Sequence, residues 1–303
     1  MSRENSFIRQ NRVSRNFKRE IDLCRKFKMI KIIPLLENTA QSKEYRRKHG
    51  LSLYIETPKH KILFDSGPND LFIKNAEKLG VSIPDVDLLI ISHGHVDHCG
   101  GLSAFLKHNS KAKIYLRPQA VDKHYVKVLG IPFYAGINAR LVKGDRFRFT
   151  DELTVIDDEI TLFSNVRAKC PLPSSDDNLL VKKNGRIIND DFIHEQNMII
   201  SSEGKHAVFC GCAHAGIANI TDKARQIIGK NPDDVVGGFH LFEPTKRKYE
   251  PDDYIAMVCA ELQKFNARFY TCHCTGIKAY ETMKKNGLIL SYLHTGTVCK
   301  LYE

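Results

Sequence analysis

No stretch of this 303-residue chain approaches the ~18 consecutive apolar residues that a membrane-crossing helix needs, which sets aside a helical membrane protein. The N-terminus lacks the apolar centre of a secretory signal, so the cytoplasm is the expected compartment. Short repeats and low-complexity tracts are missing too, which leaves an ordinary globular composition with length enough for one large core. None of the nine cysteines stands in Cys-x-x-Cys spacing and their number is odd, so reduced thiols packed as small hydrophobes are expected rather than a disulfide framework. Acidic residues are in deficit, 35 against 46 lysines and arginines, a net charge of +11. Residues 1–28 carry nine basic and three acidic residues, so +6 of that excess sits in the tail and 11 − 6 = +5 remains elsewhere. The tail has no aromatic stacking pattern and no sustained apolar face. It is expected to be a poorly ordered extension rather than an arm for nucleic acid or membrane. Residues 29–303 are read as a single domain.

What the chain does have is a dense cluster of metal-ligand types. Ile91-Ser92-His93-Gly94-His95-Val96-Asp97-His98-Cys99-Gly100-Gly101 follows the apolar run Val86-Asp87-Leu88-Leu89-Ile90. The run reads as a buried strand and the glycines as a loop leaving its end. Imidazole nitrogens and a carboxylate crowded onto one tight loop suit zinc, iron or manganese. Three later histidines repeat the setting of apolar strand, small residues, then His. They are His214 after Phe209-Cys210-Gly211-Cys212-Ala213, His240 after Val235-Val236-Gly237-Gly238-Phe239, and His273 after Phe269-Tyr270-Thr271-Cys272.

Periodicity places strands at 29–36, 51–56, 61–65, 88–92 and 113–116, and helices at 69–79, 102–109 and 118–129. Beyond residue 140 it gives short strands up to 202, then strands at 207–210, 235–238, 268–271, 288–293 and 297–301. Helices follow His214 to about residue 228, and run over 253–265 and 277–285. Two β-rich halves, each sending a strand into a histidine loop and then a helix, imply two facing sheets with helices outside.

The motifs resemble the metallo-β-lactamase superfamily. His93-x-His95-x-Asp97-His98 matches its main metal motif and Phe64-Asp65-Ser66-Gly67 its upstream Asp motif. His214 and His273 match its third and last histidine positions. The resemblance covers about residues 29–303 and implies an αββα four-layer sandwich. It further implies that His93, His95 and His214 hold one divalent metal and that Asp97, His98 and His273 hold a second, with water or hydroxide between them. Zinc is the leading candidate, with manganese, iron or magnesium as alternatives. Asp65 would orient a ligand histidine. One departure stands out: where the family often has a bridging Asp, this chain has His240, which becomes a candidate for the pocket. Glu37-Asn38-Thr39, His194-Glu195-Gln196, Gly211 through Ile220 and His273-Cys274-Thr275-Gly276 are similar to the branch of the dihydropterin–ribofuranosylaminobenzene phosphate synthases and their bacterial relatives.

The resemblance implies an enzyme. Asp97 and His240 are the candidate catalytic residues. Asn38, Asn219, Arg140 and Lys246 are the candidate contacts for a small anionic substrate, phosphorylated or pterin-like. Two cations activating water lead to hydrolysis of an ester, lactone or phosphoester. In the alternative, a synthase-like transfer, the same metals neutralise a departing diphosphate. A ribonuclease and a non-catalytic metal scaffold rank lower, because no large inserted domain for gripping a strand is evident and an open water position suits chemistry. No membrane partner is expected, nucleic acid is disfavoured, and self-association is compatible with the chain.

Overall fold

The computed structural model describes residues 29–302; the basic extension 1–28 lies outside the described residues. Its frame is two seven-stranded sheets. The first orders β20 (Cys299–Leu301), β1 (Ile30–Leu36), β2 (Ser52–Glu56), β3 (Lys61–Phe64), β4 (Leu88–Ile90), β5 (Lys113–Leu116) and β8 (Phe147–Phe149). The second orders β19 (Leu290–Tyr292), β18 (Arg268–Thr271), β15 (Asp234–Gly237), β14 (Lys205–Phe209), β13 (Gln196–Ser202), β10 (Ile160–Ser164) and β9 (Leu153–Val155).

Period-two alternation sorts the side chains of each strand. Ile62 and Phe64 of β3 and Leu53 and Ile55 of β2 point into a central core. There they meet Met198 and Ile200 of β13 and Ala207 and Phe209 of β14 from the opposite sheet. Leu63 and Tyr54 turn outward onto Phe72, Ile73 and Ala76 of α1 (Leu71–Lys78). The same outer core takes Leu102 and Phe105 from α3 (Leu102–His108), which follows the short α2 (Val96–Cys99). Val208 and Ile199 turn outward on the second sheet, onto α4 (Ile217–Ile228), α5 (Asp252–Gln263) and α6 (Ile277–Lys285). Three stacked cores, with each large apolar side chain contributing about 1.5–3 kcal/mol, make the helix–sheet–sheet–helix order. Among the described residues no helix is long and apolar enough to cross a membrane.

One expected helix is absent. Residues 118–129 form a 3-10 turn, Pro118–Val121, and then strand β6, Lys123–Val128. Its residues Tyr125, Val126 and Val128 are aromatic and β-branched, and Gly130 turns the chain into β7 (Ile131–Tyr134). β6 also pairs with β11 (Leu179–Lys183), which pairs with β12 (Arg186–Asn189), so four strands build a third small sheet that periodicity did not reveal. A two-stranded ribbon joins β16 (Phe242–Glu243) to β17 (Lys248–Tyr249).

Candidate metal centre

The candidate ligands leave the ends of four strands, and those of both large sheets converge. β4 feeds His93, and α2 turns Asp97 and His98 after it. β14 feeds Cys212 and His214, β15 feeds His240, and β18 feeds His273 in a 3-10 turn. β1 and β3 deliver Asn38 and Asp65 behind them. Four non-glycine residues here, Asp65, Ala213, His240 and His273, have positive φ between 50° and 61°. Such backbone costs on the order of 1–3 kcal/mol per residue and persists only where surrounding contacts enforce it. Gly211 is required for closeness: a Cβ there would sit 2.2 Å from Ser92 Oγ.

Four of these histidines are held from behind. His98 Nδ1 donates to Asp65 Oδ2 at 2.7 Å, and His273 Nδ1 donates to Asn38 Oδ1 at 2.9 Å. His214 Nδ1 donates to Asp176 Oδ1 at 2.6 Å. His93 Nδ1 donates to Ser92 Oγ at 2.8 Å, and that hydroxyl donates to Asp65 Oδ2 at 2.7 Å. With their Nδ1 atoms so used, four Nε2 lone pairs face inward. His98 and His273 Nε2 stand 3.2 Å apart, and His93 and His214 Nε2 stand 3.4 Å apart. Asp97 Oδ2 lies 3.3 Å from His273 Nε2, 3.6 Å from His98 Nε2 and 3.2 Å from His49 Nε2.

Two donor groups result. His93, His95 and His214 make one of three histidines, all buried. Asp97, His98 and His273 make the other, and Cys212 joins them with its Sγ 3.0 Å from His98 Nε2. Packing alone is therefore not the whole role of Cys212: its thiol stands among the candidate ligands. Crowded nitrogen donors with fixed outer hydrogen bonds, plus carboxylate and thiol, fit a divalent metal of zinc's preference. His240 adds to the fit. It is buried with neither ring nitrogen in an aligned hydrogen bond, although Nε2 is 3.1 Å from Asp176 Oδ1 as an ion pair.

The electrostatics favour a neutral His93 and His214 and a held carboxylate, whereas at His98 burial is outweighed by Asp97 and Asp65, which raise it to about 9. Burial and the surrounding histidines keep His93 well below its ordinary value. Burial brings His214 down to about 4 against the pull of Asp176. Burial opposes the charge on Asp97, but His98 with hydrogen bonds from His273 and His49 holds it well below the carboxylate range. Burial would also lower His240, yet Asp176 raises it well above its ordinary value.

The proposed substrate contacts divide. Asn38 positions His273. Asn219 lies on α4, where its Oδ1 accepts from Lys169 and Cys170 N–H, tying down a loop away from the pocket. Arg140 is exposed on a 3-10 turn outside the pocket wall. Lys246 is exposed and pairs with Glu243 at 3.3 Å, so it too is off the wall. The pocket itself is lined by Val96, Val126, Ala135, Leu179, Pro244 and five histidines, His49, His95, His214, His240 and His273, and among the described residues no lysine or arginine lines it. Periodicity and motif matching did not single out Asp176, His49 or His124. The first two come from loops far along the chain, and His124 sits in the strand expected to be a helix.

A family model described as the Metallo-beta-lactamase superfamily matches residues 45–177, across the Asp65 and His93–His98 motifs. The chain carries a metallo-β-lactamase superfamily domain. Relatives extend the likeness over His214 and His273. The chain is 27% identical over 293 residues to the 7,8-dihydropterin-6-methyl-4-(β-D-ribofuranosyl)-aminobenzene-5'-phosphate synthase of Methanocaldococcus jannaschii, covering 89% of this chain and 96% of that one. It is 26% identical over 272 residues to the protein MJ0448 of the same organism, covering 89% and 99%. The solved structure of Tm1679, described as a metal-dependent hydrolase of the beta-lactamase superfamily, aligns at TM-score 0.76 and 28% identity, covering 90% of this chain and 99% of that one. The αββα sandwich is thus the metallo-β-lactamase fold.

Proposed function

We propose that this metallo-β-lactamase-fold chain is a zinc-dependent hydrolase of a small ester, lactone or phosphoester. The observation that carries the reading is the inward convergence of four outer-anchored histidines beside Asp97, with His214, His273 and Asp97 on the pocket wall. His93, His95 and His214 would hold one ion; Asp97, His98, His273 and Cys212 would hold the other. Such ions lower the pKa of water toward neutrality and neutralise charge on attacking or leaving oxygens.

The chain's own residues do the rest. Asp97, ionised and turned to the pocket, orients the attacking water and accepts its hydrogen bond. His240, protonated beside Asp176, stands on the pocket wall to give its proton to the leaving oxygen. Val96, Val126, Ala135, Leu179 and Pro244 hold an uncharged, apolar flank of the substrate and exclude water. A negative group on the substrate is met at the ligand cluster and His49, since among the described residues no lysine or arginine lines the wall.

A synthase-like transfer is the second reading, favoured by the near full-length likeness to the methanogen enzyme. It uses the same ligands to neutralise a departing diphosphate. Metal analysis and a substrate panel test both readings. Turnover of generic esters, lactones or phosphoesters supports hydrolysis. Diphosphate released only when a pterin diphosphate meets an aminobenzene acceptor supports transfer. Absence of bound metal from protein made in metal-replete medium removes both.

A further inference from the structure

Behind His95, outside the ligand groups, lies a second buried cluster built around Asp190, whose side chain is fully enclosed. His95 Nε2 is 3.3 Å from Asp190 Oδ2, His124 Nδ1 is 3.0 Å from it, and His194 Nε2 is 3.1 Å from it. The N–H of Phe192 donates to Asp190 Oδ1 at 2.9 Å. The distances alone would suit a further metal ion, but the hydrogen bonds do not. His194 Nδ1 accepts the N–H of Gly94 at 3.0 Å, so its proton is on Nε2 and it has no lone pair to offer a cation at Asp190. His124 Nε2 faces the carbonyl oxygen of Gln119 at 3.2 Å while Nδ1 faces the carboxylate. Both of its nitrogens therefore face acceptors, Nδ1 the carboxylate itself.

We propose that Asp190 is the positioning residue of His95: it accepts the hydrogen bond of the Nε2–H, fixes the tautomer and leaves Nδ1 as the only lone pair for the three-histidine group. His124 and His194 hold Asp190 in place. His194 also ties the cluster to the main ligand loop through Gly94, where a Cβ would come within 2.4 Å of Ala120 O and 2.9 Å of His124 Nε2. The cluster gives the small third sheet a role. Strand β6 supplies His124 to the anchor and Val126 to the pocket wall, so the surface that meets substrate and the support of a ligand histidine are one element.

The inference rests on the metal-centre reading, and metal binding separates the two. Wild-type protein, Asp190→Asn and His124→Gln are stripped of metal and checked for an unchanged far-ultraviolet spectrum. They are then titrated with Zn²⁺ against a chromophoric chelator, and with Co²⁺ to record the visible ligand-field bands. Asp190→Asn is expected to weaken one Zn²⁺ site about 10–100-fold and to shift the Co²⁺ bands, with the ion count at saturation unchanged. His124→Gln should weaken the same site in the same direction by a smaller factor; it serves alone if Asp190→Asn does not fold. Wild-type affinity and spectrum in the folded variants would overturn the positioning role while leaving the metal centre standing. Loss of one whole ion at saturation would overturn it in favour of a metal site at the cluster. Wild-type protein that takes up neither Zn²⁺ nor Co²⁺ would overturn the metal-centre reading itself.

Discussion

Replacing Asp65 with asparagine tests the logic of the outer hydrogen bonds most sharply. Asparagine tolerates the positive φ of 61° at this position, so the backbone should survive. Oδ1 keeps its role, accepting the Ser92 N–H at 2.7 Å. At the place of Oδ2, however, an amide donor now meets two other donors, His98 Nδ1 and the Ser92 hydroxyl, each 2.7 Å away. The hydroxyl, which accepts from His93 Nδ1, could also accept from the amide through its second lone pair, but the His98 Nδ1–H has no such freedom. His98 must then lose its partner or move its proton to Nε2, the nitrogen that faces Cys212 and His273. Both options disable a ligand. Loss of such an outer partner typically costs 10–100-fold in metal affinity, about 1.4–2.7 kcal/mol. That agrees with the roughly 1.5–3 kcal/mol carried by a hydrogen bond to a charged group. Zn²⁺ competition against a chelator reads the change directly, and thermal melting of the metal-free variant reports whether folding is intact. A folded Asp65→Asn protein that binds Zn²⁺ within twofold of wild type would refute the reasoning.

Changing both His93 and His95 to alanine should lower the bound metal by one ion per chain by elemental analysis, while the other four-donor group keeps its ion. His240→Gln should retain the wild-type metal count yet lose on the order of 10²–10⁴ in kcat, since a proton donor rather than a ligand has gone; steady-state kinetics on the best panel substrate read this. Phe209→Ala, in the core between the sheets, should destabilise the fold by roughly 3–5 kcal/mol in urea unfolding. Glu195, raised by burial to about 7 from 4.5, supplies stability that is full below pH 4.5 and lost as the pH rises through 7, a change of roughly 3 kcal/mol. Metal-free Glu195→Gln should therefore show a flatter stability curve between pH 5 and 8 than metal-free wild type.

Local pattern carried the fold a long way, because most of its strands and helices have one face on a core and so keep a clean period. Ile62, Leu63 and Phe64 alternate between two cores, and burial on both faces shows in the letters as an unbroken apolar run. The ligand histidines were legible for a related reason, since each follows a buried strand through small residues. The third sheet was not. Its strands have many exposed faces, with Ile131, Phe133, Ile187 and Ile188 each at least 43% exposed, so no core stamps a period on them. Asp176, Asp190 and His124 were hidden for a different reason. Asp176 and His124 meet their acid–histidine partners many residues away in sequence, and Asp190, though only four residues from His194, reaches His95 across 95, so no spacing rule joins them. Arg140 and Lys246 show the converse: charge suggests an anion contact, but both residues are exposed and neither lines the pocket.

The strained backbone links these observations. Asp65, Ala213, His240 and His273 all take left-handed conformations at strand ends, where the chain must turn sharply to aim a side chain across the gap between two sheets. Together they represent on the order of 4–12 kcal/mol of unfavourable backbone geometry, comparable to the whole stability of an ordinary domain. Such a concentration persists because the three cores behind it are continuous and because the outer hydrogen bonds of Asp65, Asn38 and Asp176 hold the turned residues in place. The rigid sandwich is therefore more than a carrier for a loop of histidines. Its packing energy is what keeps donors from both sheets aimed at the same two positions, which short peptides with the same motifs could not do.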